Sequence, residues 1–326
     1  MGIKRTIKMT AEPSSMELNA AFEEFILEKE ARNLSSKSID NYKQSVRLFI
    51  EFNEFDEDTT TAEIEVNLFY KWANTLKLQG VKHTSINHYL RDCRTFFYWC
   101  MNEDRKYIDP PFKIQMLEGQ EETPKLFDEE DIVALLEKPR NNDSYPTWRT
   151  WAIVNWVLGT ANRAATIVEV KIGDIDFKNR EITLAHTKNK KAQTVPLSSS
   201  LQTVLKEYIR IWRNGAPKDA YLFCNVGEEQ LTTNALRHSF AKYCKDRGVE
   251  QTNLHGLRHS FAKQWLQNDG NMFKLQKILG HSTLDMTRRY VKLFNEDLKE
   301  DFDKFSPLDN LKKASKRTQT IKRNGK

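Results

Sequence analysis

Apolar side chains recur at the spacing of an α-helix along most of this chain, and this periodicity limits the fold more than any other feature. Before residue 105 they form four stripes, which run from Phe22 to Ile26, Ile39 to Ile50, Ile64 to Trp72 and Ile86 to Tyr98. Ser35 or Ser36 can cap the second helix. The third helix is predicted to run from Thr61 to Gly80 and the fourth to start near Thr84. The sequence therefore predicts a compact all-helical domain in this region.

A break in this pattern divides the chain. Pro110, Pro111, Gly119 and an acidic cluster lie between residues 106 and 125, which we interpret as an interdomain linker. Helical spacing resumes at Asp128, and a largely buried helix is predicted from residue 148 to 158.

Strand-like alternation appears only after that helix. Residues 172–177, 181–186 and 193–197 are predicted to form three short strands joined by turns. Beyond Ser198 the pattern is helical again, with C-cap glycines expected at Gly215, Gly248, Gly270 and Gly280. The predicted fold class is mainly α, with two domains, the second α-rich and carrying a small three-stranded antiparallel sheet.

Length and composition exclude several classes of protein. A chain of 326 residues can bury two separate cores, and no apolar run approaches the eighteen or so residues that a membrane span needs. The basic N-terminus is followed by no apolar region of the kind a secretory signal requires. The four cysteines show neither a CxxC pair nor metal-like spacing: Cys93, Cys100, Cys224 and Cys244. We therefore expect a cytoplasmic protein with reduced thiols, no metal and no membrane partner.

The charge of the chain is compatible with a polyanionic partner but does not require one. The net charge of +6 is modest, but the segment from Lys312 to Lys326 holds seven basic residues and no acidic residue. Such a tail suits the neighbourhood of a nucleic acid, and a solvated terminus explains it equally well.

Basic and phenolic side chains recur in four segments of the second half. LGTANRAATIVEV contains Arg163, and the turn from 187 to 191 contains Lys188 beside Lys190 and Lys191. LHGLRH places two candidates one helical turn apart, and LGHSTLDMTRRY contains two more. The candidate catalytic residues are Arg163, one of the lysines of the turn from 187 to 191, His255, Arg258, His281 and Tyr290.

These residue types suit transesterification at a DNA phosphodiester. A tyrosine hydroxyl can attack phosphorus, and the resulting phosphotyrosine keeps the bond energy, so rejoining needs no cofactor. Two guanidinium groups can clamp the non-bridging oxygens, which gain negative charge in the transition state. A lysine can protonate the leaving oxygen, and a histidine can take or share the tyrosine proton.

The chain resembles the tyrosine recombinase (phage integrase) family, similar to integrases of Gram-positive phages and mobile elements. HGLRHSFA, LQKILGHSTLDMTRRY and HTKNKKAQTVPLS follow that family's consensus in residue type and spacing. The resemblance selects Lys188 as the lysine and places the family's catalytic order on Arg163, Lys188, His255, Arg258, His281 and Tyr290. The resemblance implies site-specific recombination through a 3′-phosphotyrosine intermediate, for integration or excision of a mobile element.

The resemblance also implies an organisation. An N-terminal tail (1–15) would precede a helical core-binding domain (16–105), the linker (106–125), a catalytic domain (126–305) and a basic tail (306–326). The two domains would clamp duplex DNA in the cytoplasm, at the nucleoid. A chain that is monomeric or weakly oligomeric when free would form a homotetramer on DNA. Residues 295–308 would supply an inter-protomer helix, and a DNA-bending or directionality protein would assist.

Two positions depart from the family's pattern. Ala161 stands where many members have glycine, and Thr166 stands where many have an acidic residue. A hydroxyl at the second position resembles a subset from Gram-positive mobile elements.

Several residues have plainer interpretations. His255 and His259 are four apart, but no third zinc ligand is in view, so His259 is expected to be a packing or supporting residue. LRHSFAK occurs twice, and its first copy lacks the histidine three before the arginine, so Arg237 and His238 are expected on a helix surface. Lys190 and Lys191 are expected to be solvated turn charges.

The resemblance places DNA contacts on the second and fourth helices. Arginine can read guanine in the major groove and lysine can bind phosphates, while an ordinary exposed charged face explains each residue equally well. The candidate DNA-binding residues are Lys37, Lys82, His83, Arg91 and Arg94.

Two other functions remain open. A DNA-binding transcriptional regulator could keep this fold without recombining, although it would have no chemical need for the tyrosine and both arginines. A type IB topoisomerase shares the chemistry but would act on DNA of any sequence.

Overall fold

The computed structural model describes residues 15–119, 124–184, 193–281 and 283–294, with the backbone alone at residues 289 and 291–294. Lys188, Lys190, Lys191, the N-terminal tail, the basic tail and the expected inter-protomer helix lie outside these residues. The chain divides between residues 121 and 122 into two compact units. No helix within the described residues is both long and apolar enough to cross a membrane.

The first unit contains the four helices expected from the periodicity. They are α1 (Leu18–Ala31), α2 (Ser36–Phe52), α3 (Val66–Leu78) and α4 (His83–Cys100). Ser35 caps α2, and its side chain accepts a hydrogen bond from the backbone N–H of Ser38.

The expected start of the third helix is wrong. Thr61–Glu63 forms a separate 3-10 turn, because the Glu63 carboxylate accepts hydrogen bonds from both the backbone N–H and the hydroxyl of Thr60, and Ile64 is then extended. The α-helix begins only at Val66.

Aromatic rings fill the core of the first unit. Phe49 of α2 stacks on Phe69 of α3 with ring centroids 4.4 Å apart, and Phe97 of α4 meets both rings edge-on. All three side chains are fully buried. Contacts of this kind add to the burial of apolar area, so they fix the three helices against one another.

Most of the segment that we interpreted as a linker packs on the first unit as far as Gly119. Ile108 and Ile114 are buried in its core. The Asn87 side chain of α4 also exchanges two hydrogen bonds with the backbone of Leu117, at 2.9 and 2.8 Å. Residues 106–119 are therefore a layer of the first unit rather than a free spacer, and residues 120–123 are outside the described residues.

The second unit contains eight helices within its described residues and one small sheet. The helices are α5 (Glu129–Leu136), α6 (Tyr145–Thr160), α7 (Ala164–Ile167), α8 (Ser199–Trp212), α9 (Thr233–Lys245), α10 (Leu254–Gln267), α11 (Met272–Leu279) and α12 (Asp285–Phe294). The strands are β1 (Ile175–Asp176), β2 (Glu181–Leu184) and β3 (Gln193–Pro196), antiparallel in that order. The mainly helical, two-domain fold class is thereby confirmed.

Two local expectations in this unit need correction. Residues 172–174 form a 3-10 turn, because the Asp174 carboxylate accepts the backbone N–H of Lys171, so the first strand starts only at Ile175. Gly280 ends α11 with a positive φ of 60°, as expected for a C-cap glycine. After α10, however, the left-handed residue is Asp269, with φ 57°, rather than Gly270.

The two LRHSFAK copies lie on different helices and present different faces. In α9, Leu236 and Phe240 are buried while Arg237 and His238 are exposed, as expected. In α10 the register is rotated, so that Arg258 is only 2% exposed.

Gly256 near the start of α10 is held by a close backbone contact. A Cβ atom there would lie 2.9 Å from the Lys125 carbonyl oxygen and 2.9 Å from the Phe127 ring. Alanine ordinarily favours a helix over glycine by up to about 1 kcal/mol. The backbone oxygen cannot give way, so we expect Gly256→Ala to lower the free energy of unfolding by about 1–3 kcal/mol.

Chemical denaturation of the full chain measures this effect. Gly227→Ala is the matched control, because Gly227 is exposed and its nearest neighbour would lie 3.4 Å from an added Cβ. Equal stability of the Gly256→Ala and Gly227→Ala proteins would contradict the packing described here.

Candidate active site

Three side chains of the site lie in the first two turns of helix α10: His255, Arg258 and His259. The Asn253 side chain caps the helix by accepting a hydrogen bond from the backbone N–H of His255 at 3.1 Å. One turn later the Ser260 hydroxyl accepts the backbone N–H of Phe127 at 3.0 Å. The helix that carries the site is therefore fixed at its start and along one flank.

Arg258 is a buried cation held by the ends of two helices. Its Nη1 donates to the Ala161 carbonyl at 2.5 Å and its Nη2 to the Leu279 carbonyl at 2.7 Å. Ala161 is the left-handed C-cap of α6, and Leu279 is the last residue of α11. Both helix C-termini carry partial negative charge, which stabilises the guanidinium without neutralising it.

The charge of Arg258 therefore remains available. Burial lowers the pKa of Arg258 to about 10, with a further contribution from Arg163, so the side chain is still cationic at neutral pH. No carboxylate of the described residues is among the groups that shift this pKa.

His281 lies between Arg258 and Thr287, and its partners fix its tautomer. Arg258 Nη2 lies 3.1 Å from His281 Nε2, and an arginine can only donate, so Nε2 is the acceptor. Nδ1 then carries the proton and donates to the Thr287 hydroxyl at 2.9 Å. Burial first, then the charge of Arg258, lowers the pKa of His281 to about 4, which keeps this ring neutral.

Tyr290 of α12 is 6% exposed and completes the cluster. Its hydroxyl lies 2.9 Å from His259 Nδ1, and its ring lies parallel to that of His281, with centroids 6.2 Å apart. Burial raises the pKa of Tyr290, while the charge of Arg258, a hydrogen bond with it and the charge of Arg163 act in the opposite direction. The phenol is thus protonated at neutral pH and surrounded by groups that favour the phenolate.

Arg163 approaches the same phenol from the start of α7. It is the N-cap residue of that helix, two residues after the left-handed turn at Ala161. Its side chain is half-buried, which lowers its pKa, and a phenolate at Tyr290 acts in the opposite direction. Thr166, where the family's pattern has an acidic residue, makes a backbone hydrogen bond to the Arg163 carbonyl.

His255 is the most exposed of the three histidines. Its ring meets that of His259 edge-on, with centroids 4.5 Å apart. Burial and the neighbouring charges of His259, Arg258 and Arg163 lower its pKa to about 4, and its exposure to solvent screens part of that effect. The structure thus brings Arg163, His255, Arg258, His281 and Tyr290 into one cluster.

The sixth candidate, Lys188, lies outside the described residues. The strand that follows it is tied to the site, because the Gln193 side chain at the start of β3 donates to the Lys277 carbonyl at 2.5 Å. Lys277 belongs to the last turn of α11, whose final carbonyl holds Arg258.

The candidate DNA-binding residues differ in exposure. Lys37, Lys82 and Arg91 are exposed, while His83 and Arg94 are half-buried. A Cβ atom at Gly119 would lie 2.4 Å from the His83 ring, so this ring packs on the chain of its own unit. The Arg94 guanidinium lies 5.9 Å from the centre of the Tyr98 ring, and the Arg91 Nε lies 3.7 Å from the buried Asp92 carboxylate.

The sequence alone does not predict the roles of two residues of the site. His259 was expected to be a supporting residue, yet it contacts the Tyr290 hydroxyl directly. Thr287 was not singled out at all, although it is fully buried and holds His281. The only signal in the sequence was spacing, since Thr287 lies three residues before the tyrosine on the same helix.

Replacing Thr287 by valine removes the acceptor for His281 while keeping the shape of the side chain. We expect the Nδ1–H tautomer of His281 to lose its predominance, and the free energy of unfolding to fall by about 1–3 kcal/mol because a buried donor is left unpaired. Nitrogen chemical shifts of protein labelled with ¹⁵N-histidine report the tautomer. Thr287→Ser is the control and should keep it. A wild-type His281 protonated at Nε2 would contradict the assignment.

Comparisons with known proteins agree with this geometry. Residues 125–297 match the model described as Phage integrase family, and residues 21–104 match Phage integrase, N-terminal SAM-like domain. Tyrosine recombinase XerC of Staphylococcus aureus is 26% identical over 83% of this chain and 91% of its own length. XerC of Thermodesulfovibrio yellowstonii is 26% identical over 84% of this chain and 91% of its own length.

Solved structures share the fold. The Tn1549 transposon integrase, in complex with a circular intermediate DNA, is 18% identical and superposes with a TM-score of 0.70 over 93% of this chain and 99% of that chain. XerH site-specific recombinase, bound to a palindromic difH substrate in a post-cleavage complex, is 21% identical with a TM-score of 0.68 over 85% of this chain and 82% of that chain.

Proposed function

Because the chain belongs to the phage integrase family, we propose that it is a site-specific DNA recombinase that cuts and rejoins duplex DNA through a 3′-phosphotyrosine intermediate at Tyr290. One observation carries the proposal: a buried tyrosine hydroxyl lies in a cluster with a buried arginine, and the carbonyl groups at the ends of two helices hold the guanidinium of that arginine in place. A pure DNA-binding protein would gain nothing from that arrangement.

The chemistry follows from the positions of the charges. The Tyr290 oxygen attacks phosphorus, the bond from phosphorus to the 5′ oxygen breaks, and negative charge accumulates on the non-bridging oxygens. Arg258 and Arg163 are the donors that stabilise this charge, and Arg258 is held in place before DNA arrives. His255 stands beside them as a neutral ring able to donate a further hydrogen bond, and His281 supports Arg258 by accepting a hydrogen bond from its Nη2. We assign protonation of the leaving 5′ oxygen to Lys188 on the family's pattern.

DNA binding is assigned to both units. In the first unit, residues 16–105, the exposed cations Lys37, Lys82 and Arg91 are the strongest candidates for contact with the duplex. Arg94 and His83 are weaker candidates because they are half-buried. Residues 126–305 supply the catalysis. The proposal also includes a homotetramer on DNA and an accessory DNA-bending or directionality protein. It places the protein in the cytoplasm, at the nucleoid. XerH and the Tn1549 integrase were each solved with DNA, which supports duplex DNA as the partner here.

Covalent trapping tests this function. Nicked suicide duplexes drawn from the DNA on either side of the gene are incubated with the purified protein and run on a denaturing gel. We expect one strand to migrate as a covalent adduct, and peptide mapping to place the nucleotide on Tyr290. Tight, sequence-specific binding with no adduct on any strand would overturn the proposal in favour of a regulator. Relaxation of supercoiled DNA of unrelated sequence would favour a topoisomerase.

A further inference from the structure

The proton of the nucleophile has a specific neighbour. The Tyr290 hydroxyl and His259 Nδ1 are 2.9 Å apart, and the two rings are inclined at 49° with centroids 5.5 Å apart. From this geometry we propose that His259 is the general base that removes the Tyr290 proton during strand cleavage and returns it during rejoining. The inference rests on the proposed function, since it concerns a step of that reaction.

His281 is excluded from this role by its own hydrogen bonds. Its Nε2 lone pair accepts from Arg258 and its Nδ1 proton is donated to Thr287, so neither nitrogen is free to accept a phenolic proton. His255 is exposed and lies edge-on against His259, which places it at the solvent side of the base. His259 is the histidine for which the structure gives a hydrogen bond to the reacting oxygen.

The protonation state of His259 suits a base. Burial, and then the charge of Arg258, lower its pKa below the ordinary value, so the ring is neutral at neutral pH. The groups that face the ring and the phenol are His255 and Arg258 on α10, Tyr290 on α12, Arg163 at α7 and His281 before α12. The proposed role requires the phenolic O–H to donate to Nδ1, with the ring proton on Nε2.

The step balances without any further reagent. The Tyr290 O–H bond breaks as the O–P bond forms, and the proton passes to His259 Nδ1. The electron pair of the P–O5′ bond goes to the 5′ oxygen, which takes a proton from the general acid. In rejoining, the 5′ hydroxyl gives its proton back to the general acid as its oxygen attacks phosphorus. The bond from phosphorus to the Tyr290 oxygen breaks, and protonated His259 returns its proton to that oxygen.

The position of His259 next to Arg258 serves this step. The phosphate clamp and the base are consecutive residues of one fixed helix. The charge of Arg258 opposes the effect of burial on the pKa of Tyr290, and together with burial it keeps His259 unprotonated. The proton can therefore move over one hydrogen bond with little rearrangement.

The test uses His259→Gln, because glutamine fills the space and makes hydrogen bonds but cannot take up a proton. Single-turnover cleavage of the suicide duplex is measured between pH 6 and pH 9. General base catalysis typically contributes about 100-fold or more, so we expect the variant to cleave about 100-fold more slowly at pH 7. Its rate should rise about tenfold per pH unit, because only the rare phenolate then attacks. The wild-type rate should be flat from pH 7 to pH 9, and should fall only when the pH drops below the lowered pKa of His259.

The chain supplies its own matched control. His238 occupies the same place in the first LRHSFAK copy and is exposed on α9, so His238→Gln should cleave at the wild-type rate with the wild-type pH profile. A His259→Gln protein that cleaves within threefold of wild type, with a flat profile, would overturn the inference. So would a wild-type rate that rises tenfold per unit above pH 7, a result that needs no variant. Absence of an adduct from wild type would instead count against the proposed function.

Discussion

The Tyr290→Phe protein is expected to bind its DNA site as wild type does and to form no covalent adduct. The ring is 6% exposed, packs with Ala262 and Leu275, and lies parallel to His281, and phenylalanine keeps all of these contacts. Only the hydroxyl is lost, and with it the proposed nucleophile. Loss of a nucleophile removes covalent catalysis as a whole, so we expect cleavage to fall by a factor of about 10⁴ or more.

Suicide-duplex trapping and a gel-shift titration on the same preparation measure the two effects. Tyr243→Phe is the matched control, because Tyr243 is a buried tyrosine of the same unit whose hydroxyl donates to the Leu135 carbonyl at 2.9 Å. That variant should lose about 1 kcal/mol of stability and retain adduct formation. An adduct from Tyr290→Phe at wild-type yield would place the nucleophile on another residue.

The second large effect is expected from Arg258→Lys. Lysine keeps the charge, but its single ammonium group cannot donate to the Ala161 and Leu279 carbonyls and also present a planar fork to phosphate. The site loses a donor that is in place before the substrate arrives. Removal of such a donor costs about 10²–10³ in rate, and we expect cleavage to slow by that factor.

Single-turnover cleavage at saturating protein separates this loss from weaker binding. Arg237→Lys is the control, since Arg237 stands at the same place in the first LRHSFAK copy and is exposed. It should cleave at the wild-type rate. Arg258→Lys with unchanged single-turnover cleavage would mean that charge alone is required at this position and that the fork is not.

The helices could be predicted because their information is local. Stripes such as Ile39 to Ile50 and caps such as Ser35 specify α2 without reference to the rest of the chain. Residues 61–63 and 172–174 were mistaken for the start of a helix and a strand, because a three-residue turn held by one carboxylate leaves no periodic pattern. The burial of Ile108 and Ile114 was missed for a related reason: two apolar residues in a proline-rich segment give no period to detect.

The site, too, could be predicted only in part. Spacing could select Arg258 and Tyr290 because the motifs that contain them are long and specific. The contact between His259 and the phenol could not be predicted, since it depends on how α12 packs against α10. The two LRHSFAK copies make the same point. Identical residues place one arginine on the surface and the other at 2% exposure, and only the surrounding helices decide which.

The way Arg258 is held has a consequence for control of the enzyme. A guanidinium paired with an internal carboxylate can be masked and unmasked, and an activator of such a site would work by pulling the acid away. Carbonyl groups at the ends of α6 and α11 are uncharged and compete poorly with a phosphate, so this cation is ready before DNA arrives and stays ready afterwards. On the proposed mechanism, restraint on cutting would therefore act on the moment at which Tyr290 and the leaving-group acid reach the scissile phosphate together.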